Sequence, residues 1–134
     1  MRNKISSAAI LFFLCVSVFA QQTDIPAPPS WIRGSWTYIE TIYEEDEKTE
    51  QMFRIIFTEN DIIFDGGNLA GLIAQGEVTS FTQKTQPSSY EIYIQYIDGY
   101  WWREAFENTE GRDQMHSTYE TAYGESDGCV YTRE

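Results

Sequence analysis

Two carboxylates fall where an alternating chain would carry them inward. If Trp36 points into a core, period two sends Tyr38, Glu40 and Ile42 to the same side. If Trp102 does, then Tyr100, Glu104 and Phe106 follow it. A buried carboxylate is costly unless it is paired or hydrogen-bonded. A neighbouring Arg could meet it, or water at an open mouth, or a cationic or hydroxylated molecule held inside. The last case would mean recognition of a small amphipathic molecule by its polar end. The competing reading sets Glu40 and Glu104 near an open end, both solvated.

Other reactive residues fit catalysis or metal binding poorly. His116 is the one histidine, with Ser117 after it and Asp113 before it. Adjacent strand residues point to opposite faces, and a Ser-His-Asp relay needs mutual hydrogen-bonding reach. Glu44-Glu45-Asp46-Glu47 gathers carboxylates at a turn, but Ca²⁺ takes roughly six to eight spaced oxygen ligands, and the run lacks that spacing and a Gly. It reads as a solvated loop tip. There is no Cys/His metal spacing and no Gly-rich phosphate loop; Gly66-Gly67 reads as a turn. A non-catalytic chain without metal or cofactor is therefore expected.

The elements that position these groups are strands. Apolar or aromatic runs separated by turn residues predict eight: Ser35–Tyr43, Glu50–Thr58, Asp61–Asp65, Ala74–Gln83, Ser89–Ile97, Tyr100–Glu107, Arg112–Tyr119 and Gly128–Arg133. Asp98-Gly99 predicts a two-residue hairpin link. Asn68 to Ala74 fits one turn of helix or a loop over one end. All links are short, so antiparallel neighbours are the simplest topology. Phe53, Ile55 and Phe57 share a face, as do Ile92, Ile94 and Tyr96.

Residues 1–20 read as a signal peptide rather than fold. Arg2 and Lys4 make a basic start, Ile10 to Phe19 an apolar run too short to span a bilayer, and Val18-Phe19-Ala20 a small-x-small cleavage site before Gln21. A retained anchor and a lipoprotein bearing lipid on Cys15 are the alternatives. Phe12-Phe13-Leu14 lacks the small residues the latter wants. Residues 21–30, with Pro26, Pro28 and Pro29, read as an extended linker. Residues 31–134 form a single domain.

Cleavage leaves 7 of the 9 basic residues against all 21 acidic ones, a net charge of −14. That excludes nucleic acid as an expected partner, because phosphates need Lys and Arg. Anionic membrane surfaces are disfavoured likewise, and no second apolar segment offers a transmembrane span. An exported, secreted or periplasmic monomer is expected. Cys129 alone survives cleavage, so no internal disulfide is possible, and a lone strand Cys is read as a small buried apolar group.

Gly34-Ser35-Trp36 at the first strand, eight strands and Arg133 at the end of the last together resemble the calycin superfamily, the lipocalins and their small bacterial relatives. The resemblance implies an all-β, eight-stranded antiparallel up-and-down barrel. Trp36 and Arg133 would pair across its closed end, beside Gly34. It also implies a small, mostly apolar ligand inside, lined by the inward set Tyr38, Glu40, Phe53, Phe57, Ile94, Tyr96, Trp102 and Glu104. The chain is shorter than most lipocalins and lacks their C-terminal helix and disulfide. The alternative is a protein-interaction module, an inhibitor or adhesion-type factor with a filled barrel. It would bind through loops and the surface around Trp101, unless Trp101 packs beside Tyr93 and Tyr90.

Overall fold

The computed structural model describes residues 23–109 and 113–134. The leader over 1–20, its cleavage point before Gln21 and the link residues 110–112 lie outside them. Nine antiparallel strands form one sheet: β1 Gly34–Glu44, β2 Glu47–Phe57, β3 Ile62–Phe64, β4 Gly67–Asn68, β5 Val78–Gln86, β6 Ser89–Tyr96, β7 Trp101–Asn108, β8 Gln114–Thr121 and β9 Gly124–Arg133. The spatial order is β4-β3-β2-β1-β9-β8-β7-β6-β5, an up-and-down meander in which the first strand also joins the last. A short helix, α1 (Leu69–Ala74), links the two sheet edges, and a 3₁₀ turn over Ser30–Ile32 precedes β1.

Alternation places the core as expected. Trp36, Ile55, Phe57, Ile92, Ile94 and Phe106 are all buried, and the intervening residues face outward or are half-buried. The sheet curls enough for its inner face to meet itself. Phe57 on β2 packs edge-on to Phe106 on β7, with ring centres 5.2 Å apart, and to Tyr90 on β6. Phe64 on β3 reaches Trp102 on β7, centres 5.8 Å apart. Such aromatic pairs add to the burial that drives the curl.

Several boundaries differ from the expectation. The additional strand, β4, starts at Gly67, so the turn falls on Asp65-Gly66 rather than on Gly66-Gly67. Ala74 to Glu77 is not strand: Ala74 ends α1, and Gln75, Gly76 and Glu77 donate their amides back to the helix carbonyls of Gly71, Ile73 and Leu72. The link at Asp98-Gly99 is three residues, because Tyr96 N–H bonds Tyr100 O and Ile97 joins the loop. Gly99 takes the left-handed position there (φ +93°), and Asp98 accepts from Tyr100 N–H. Gly124 to Asp127 belongs to β9 rather than to a turn. A bulge opposite Ser117 and Tyr119 absorbs the extra residue.

Two features of the sheet were not foreseen. First, β1 and β9 pair only at Trp36↔Arg133 and Thr37↔Thr132, whereas β1 and β2 pair along their full lengths. From Tyr38 onward β1 leaves β9, so the β1–β2 hairpin stands out as a two-stranded arm. Ile39 and Met52, cross-strand partners on its outer face, are 56% and 58% exposed. Second, the Pro-rich linker is docked. Thr23 bridges Phe81 in parallel, Asp24 N–H bonds Phe81 O, and Asp24 accepts from Gln83 N–H. The Gln83 side chain donates to Ile25 O and accepts from Ala27 N–H and from the Tyr90 hydroxyl. The free edge of β5 is thereby covered.

Candidate functional site

One end of the curled sheet is closed by side chains. Trp36 is buried, and its indole N–H donates to Ile32 O at 2.7 Å, which ties β1 to the 3₁₀ turn. The Arg133 guanidinium lies over the indole, its carbon 4.2 Å from the ring centre. Its two terminal nitrogens donate to Arg33 O and Trp31 O. Stacking and hydrogen bonding are both served by the planar fork of an Arg. Gly34 has φ +124°, and a β-carbon there would come within 2.8 Å of Arg133 Nη1. Both facts call for Gly.

The other end holds a cavity of about 340 Å³. Its aromatic wall comes from six strands: Tyr38 on β1, Phe53 on β2, Phe64 on β3, Trp102 on β7, and Tyr119 and Tyr131 on β8 and β9. Glu40, Asp65, Tyr100 and Thr121 complete the lining, with Arg54, Ile55, Gly66 and Cys129. The Arg54 guanidinium bonds Glu134 at 2.6 Å. Volume and composition suit a small, largely apolar molecule.

Glu104 lies in this lining and is only 2% exposed. Ser117 Oγ (2.5 Å) and the Tyr131 hydroxyl (3.2 Å) both donate to Oε2, and the Trp102 indole N–H donates to Oε1 at 3.0 Å. Burial pushes the carboxyl up to about 7, and the three donors oppose that rise. Near neutral pH this buried group is therefore balanced between its two protonation states. Its partners are neutral, so nothing among them neutralises the anion. Burial also pushes the Tyr38 phenol up to about 12, with smaller contributions from Cys129 and Glu40, and pushes the Cys129 thiol up.

Of the residues expected to line a ligand site, Tyr38, Glu40, Phe53, Trp102 and Glu104 are brought together around the cavity. Phe57 and Ile94 point inward but are packed below it, Phe57 against Tyr90 and Phe106. Tyr96, half-buried, turns to Tyr100 instead (ring centres 5.7 Å apart). Period two reports the face of a residue but not its depth. Glu40 and Glu104 also part company: Glu40 is exposed at the rim, as the solvated reading had it, but Glu104 is not. Ser117, Tyr119 and Tyr131 were missed. The alternation of Met115, Ser117 and Tyr119 places that side of β8 inward, which was the available signal.

The remaining groups separate. His116 is exposed while Ser117 is buried and committed to Glu104, so the two do not form a relay. The acidic run is an exposed hairpin tip, with Glu45 and Asp46 both at positive φ. Among the described residues no three His, Cys, Asp or Glu side chains are placed to hold a metal ion. Also among them, no helix is long and apolar enough to cross a membrane. Trp101 is half-buried beside Tyr93, ring centres 6.2 Å apart, with Arg103 over the same Tyr93 ring. Tyr90 is not part of that outer cluster, because it packs inside.

No family model, curated protein or solved structure matches this chain.

Proposed function

We propose that the chain is an exported, non-catalytic binding protein that holds one small, mostly apolar molecule inside a lipocalin-like barrel. In this reading residues 1–20 are removed as a signal peptide. The curled sheet works as a closed eight-stranded wall with β4 as a minor addition, and the mature protein is a monomer. Trp36, Arg133 and Gly34 serve the closed end, and the ligand enters at the other. The observation that carries the reading is the cavity of about 340 Å³, walled by aromatic rings, with one buried carboxyl in its lining. An eight-stranded barrel has room for a filled core or for one small ligand. Trp102, in the cavity wall, gives a fluorescent reporter. The test is native mass spectrometry of protein purified from its own source, joined to tryptophan quenching with a panel of lipids, amines and haem. A bound adduct or saturable quenching is expected. A bare monomer with no quenching across the panel would overturn the reading.

A protein-interaction module is the second reading. The exposed Ile39–Met52 pair on the protruding arm favours it, because exposed apolar surface on an unpaired ribbon suits a protein partner.

A further inference from the structure

The cavity wall carries more chemical information than its volume. A buried carboxylate is normally matched by a cation, but Glu104 is met by an indole N–H and two hydroxyls. A carboxylate offers about four acceptor positions, and Oε1 uses one of its own, toward Trp102. Among the described residues Arg54 is the one cation in the lining, and it is engaged with Glu134. Two further carboxylates, Glu40 and Asp65, stand at exposed positions in the lining. The site thus combines negative charge, aromatic faces and an acceptor with spare capacity, which is what an organic cation requires.

We propose that the ligand is an amine: an ammonium group seated on Oε1 of Glu104, carried on an aromatic or aliphatic body packed against Trp102, Tyr38 and Phe53. This rests on the binding-protein reading above and deepens it. The amine supplies the positive charge that the surroundings of Glu104 lack, while its body buries against the rings. Binding requires the anionic form of Glu104, so below neutral pH the carboxyl releases its proton to solvent as the ammonium arrives. The other titratable groups facing it do not share that role. Tyr38 on β1 and Cys129 and Tyr131 on β9 are held protonated by burial. Tyr100 and Tyr119 add their rings to the lining, and Glu40 and Asp65 stand further out at exposed positions.

The test compares three probes of one shape, 4-phenylbutylamine, 4-phenylbutanol and 4-phenylbutyrate, by titration calorimetry on the purified protein at pH 8 and pH 5. At pH 8 the amine is expected to bind at least about tenfold more tightly than the alcohol, with the acid weakest, in keeping with a desolvated charge pair. At pH 5 the advantage of the amine shrinks. At pH 6.5, buffers of different ionisation enthalpy report proton release on amine binding and none for the alcohol. Glu104→Gln removes the preference for the amine while the alcohol still binds. Wild-type proton release tests the same point if that variant fails to fold. Equal binding of amine and alcohol at pH 8, without proton release, overturns the amine and leaves the cavity reading standing. Absence of binding by all three probes overturns both.

Discussion

Arg133 and Trp36 are cross-strand partners at the narrow seam between the last strand and the first, and the guanidinium carbon lies over the indole, 4.2 Å from the ring centre. Two ladder pairs make that seam, extended by the bond from Glu134 N–H to Ser35 O, and the Arg133–Trp36 pair covers the buried side of its end. Trp36→Ala should cost about 3–5 kcal/mol, the range for truncating a buried large aromatic. Arg133→Lys should cost less, about 1–2 kcal/mol, because an ammonium keeps the charge but not the two-pronged bonds to Arg33 O and Trp31 O. Gly34→Ala should be destabilising although it adds only a methyl group. Urea denaturation midpoints check the order. Equal stability of Arg133→Lys and wild type would contradict this account.

Glu104 makes stability depend on pH in a distinctive direction. Its folded value is about 7 against an ordinary 4.5, so between those limits the folded state holds more protons than the unfolded one. Stability from this group is therefore greatest below about pH 4.5, falls as pH rises toward 7, and levels off above. The full span is roughly 3 kcal/mol. Glu104→Gln, isosteric and never charged, should gain on the wild type as pH rises. Denaturant titrations at pH 5 and pH 8 should show that widening gap; a constant gap would remove Glu104 as its source.

Ser117→Ala leaves Glu104 Oε2 with the Tyr131 hydroxyl alone. Because the Ser117 bond favours the ionised form, its loss should raise the Glu104 value further. Carbon-detected NMR titration of the Glu104 carboxyl would read the change. A downward move would be incompatible with the assigned hydrogen bond.

Cys129 should react slowly with thiol reagents at pH 8 in the folded protein, since burial disfavours its thiolate. It lines the cavity, so a bound ligand should slow the reaction further. A fast reaction unaffected by any ligand would argue against both the burial and the shared site.

The arm tip carries backbone strain. Glu45 (φ 53°) and Asp46 (φ 101°) both sit in the region that favours glycine. Asp46→Gly should stabilise the protein by about 1 kcal/mol, relieving the left-handed cost. Thermal midpoints would show an increase, and a decrease would mean that the turn depends on the Asp46 side chain.

Much of this architecture was legible because strand alternation is local. Ile92 and Ile94, Trp102 and Glu104, and Phe53 and Phe57 took their inward faces from period two alone. What was not legible depends on partners far apart in the chain. Ser117 lies 13 residues from Glu104 and Tyr131 27 residues from it, and only the β7-β8-β9 order brings the three together. Phe57 and Phe53 share a face, yet one fills the core and the other lines the cavity, because depth depends on how the whole sheet curls. The β9 bulge was hidden for a similar reason: it is defined by the register against β8.

The docked N-terminal segment has a consequence in time as well as in space. Its partners on β5 lie 56 to 59 residues further along the chain. During synthesis the segment emerges long before the strand it will cover. It can settle only after β5 exists, so sealing is a late event. Until then β5 presents a row of bare amides and carbonyls to any other extended chain. The linker thus acts as a latch on folding intermediates. Clipping residues 21–27 from the folded protein should increase self-association more than it lowers the thermal midpoint.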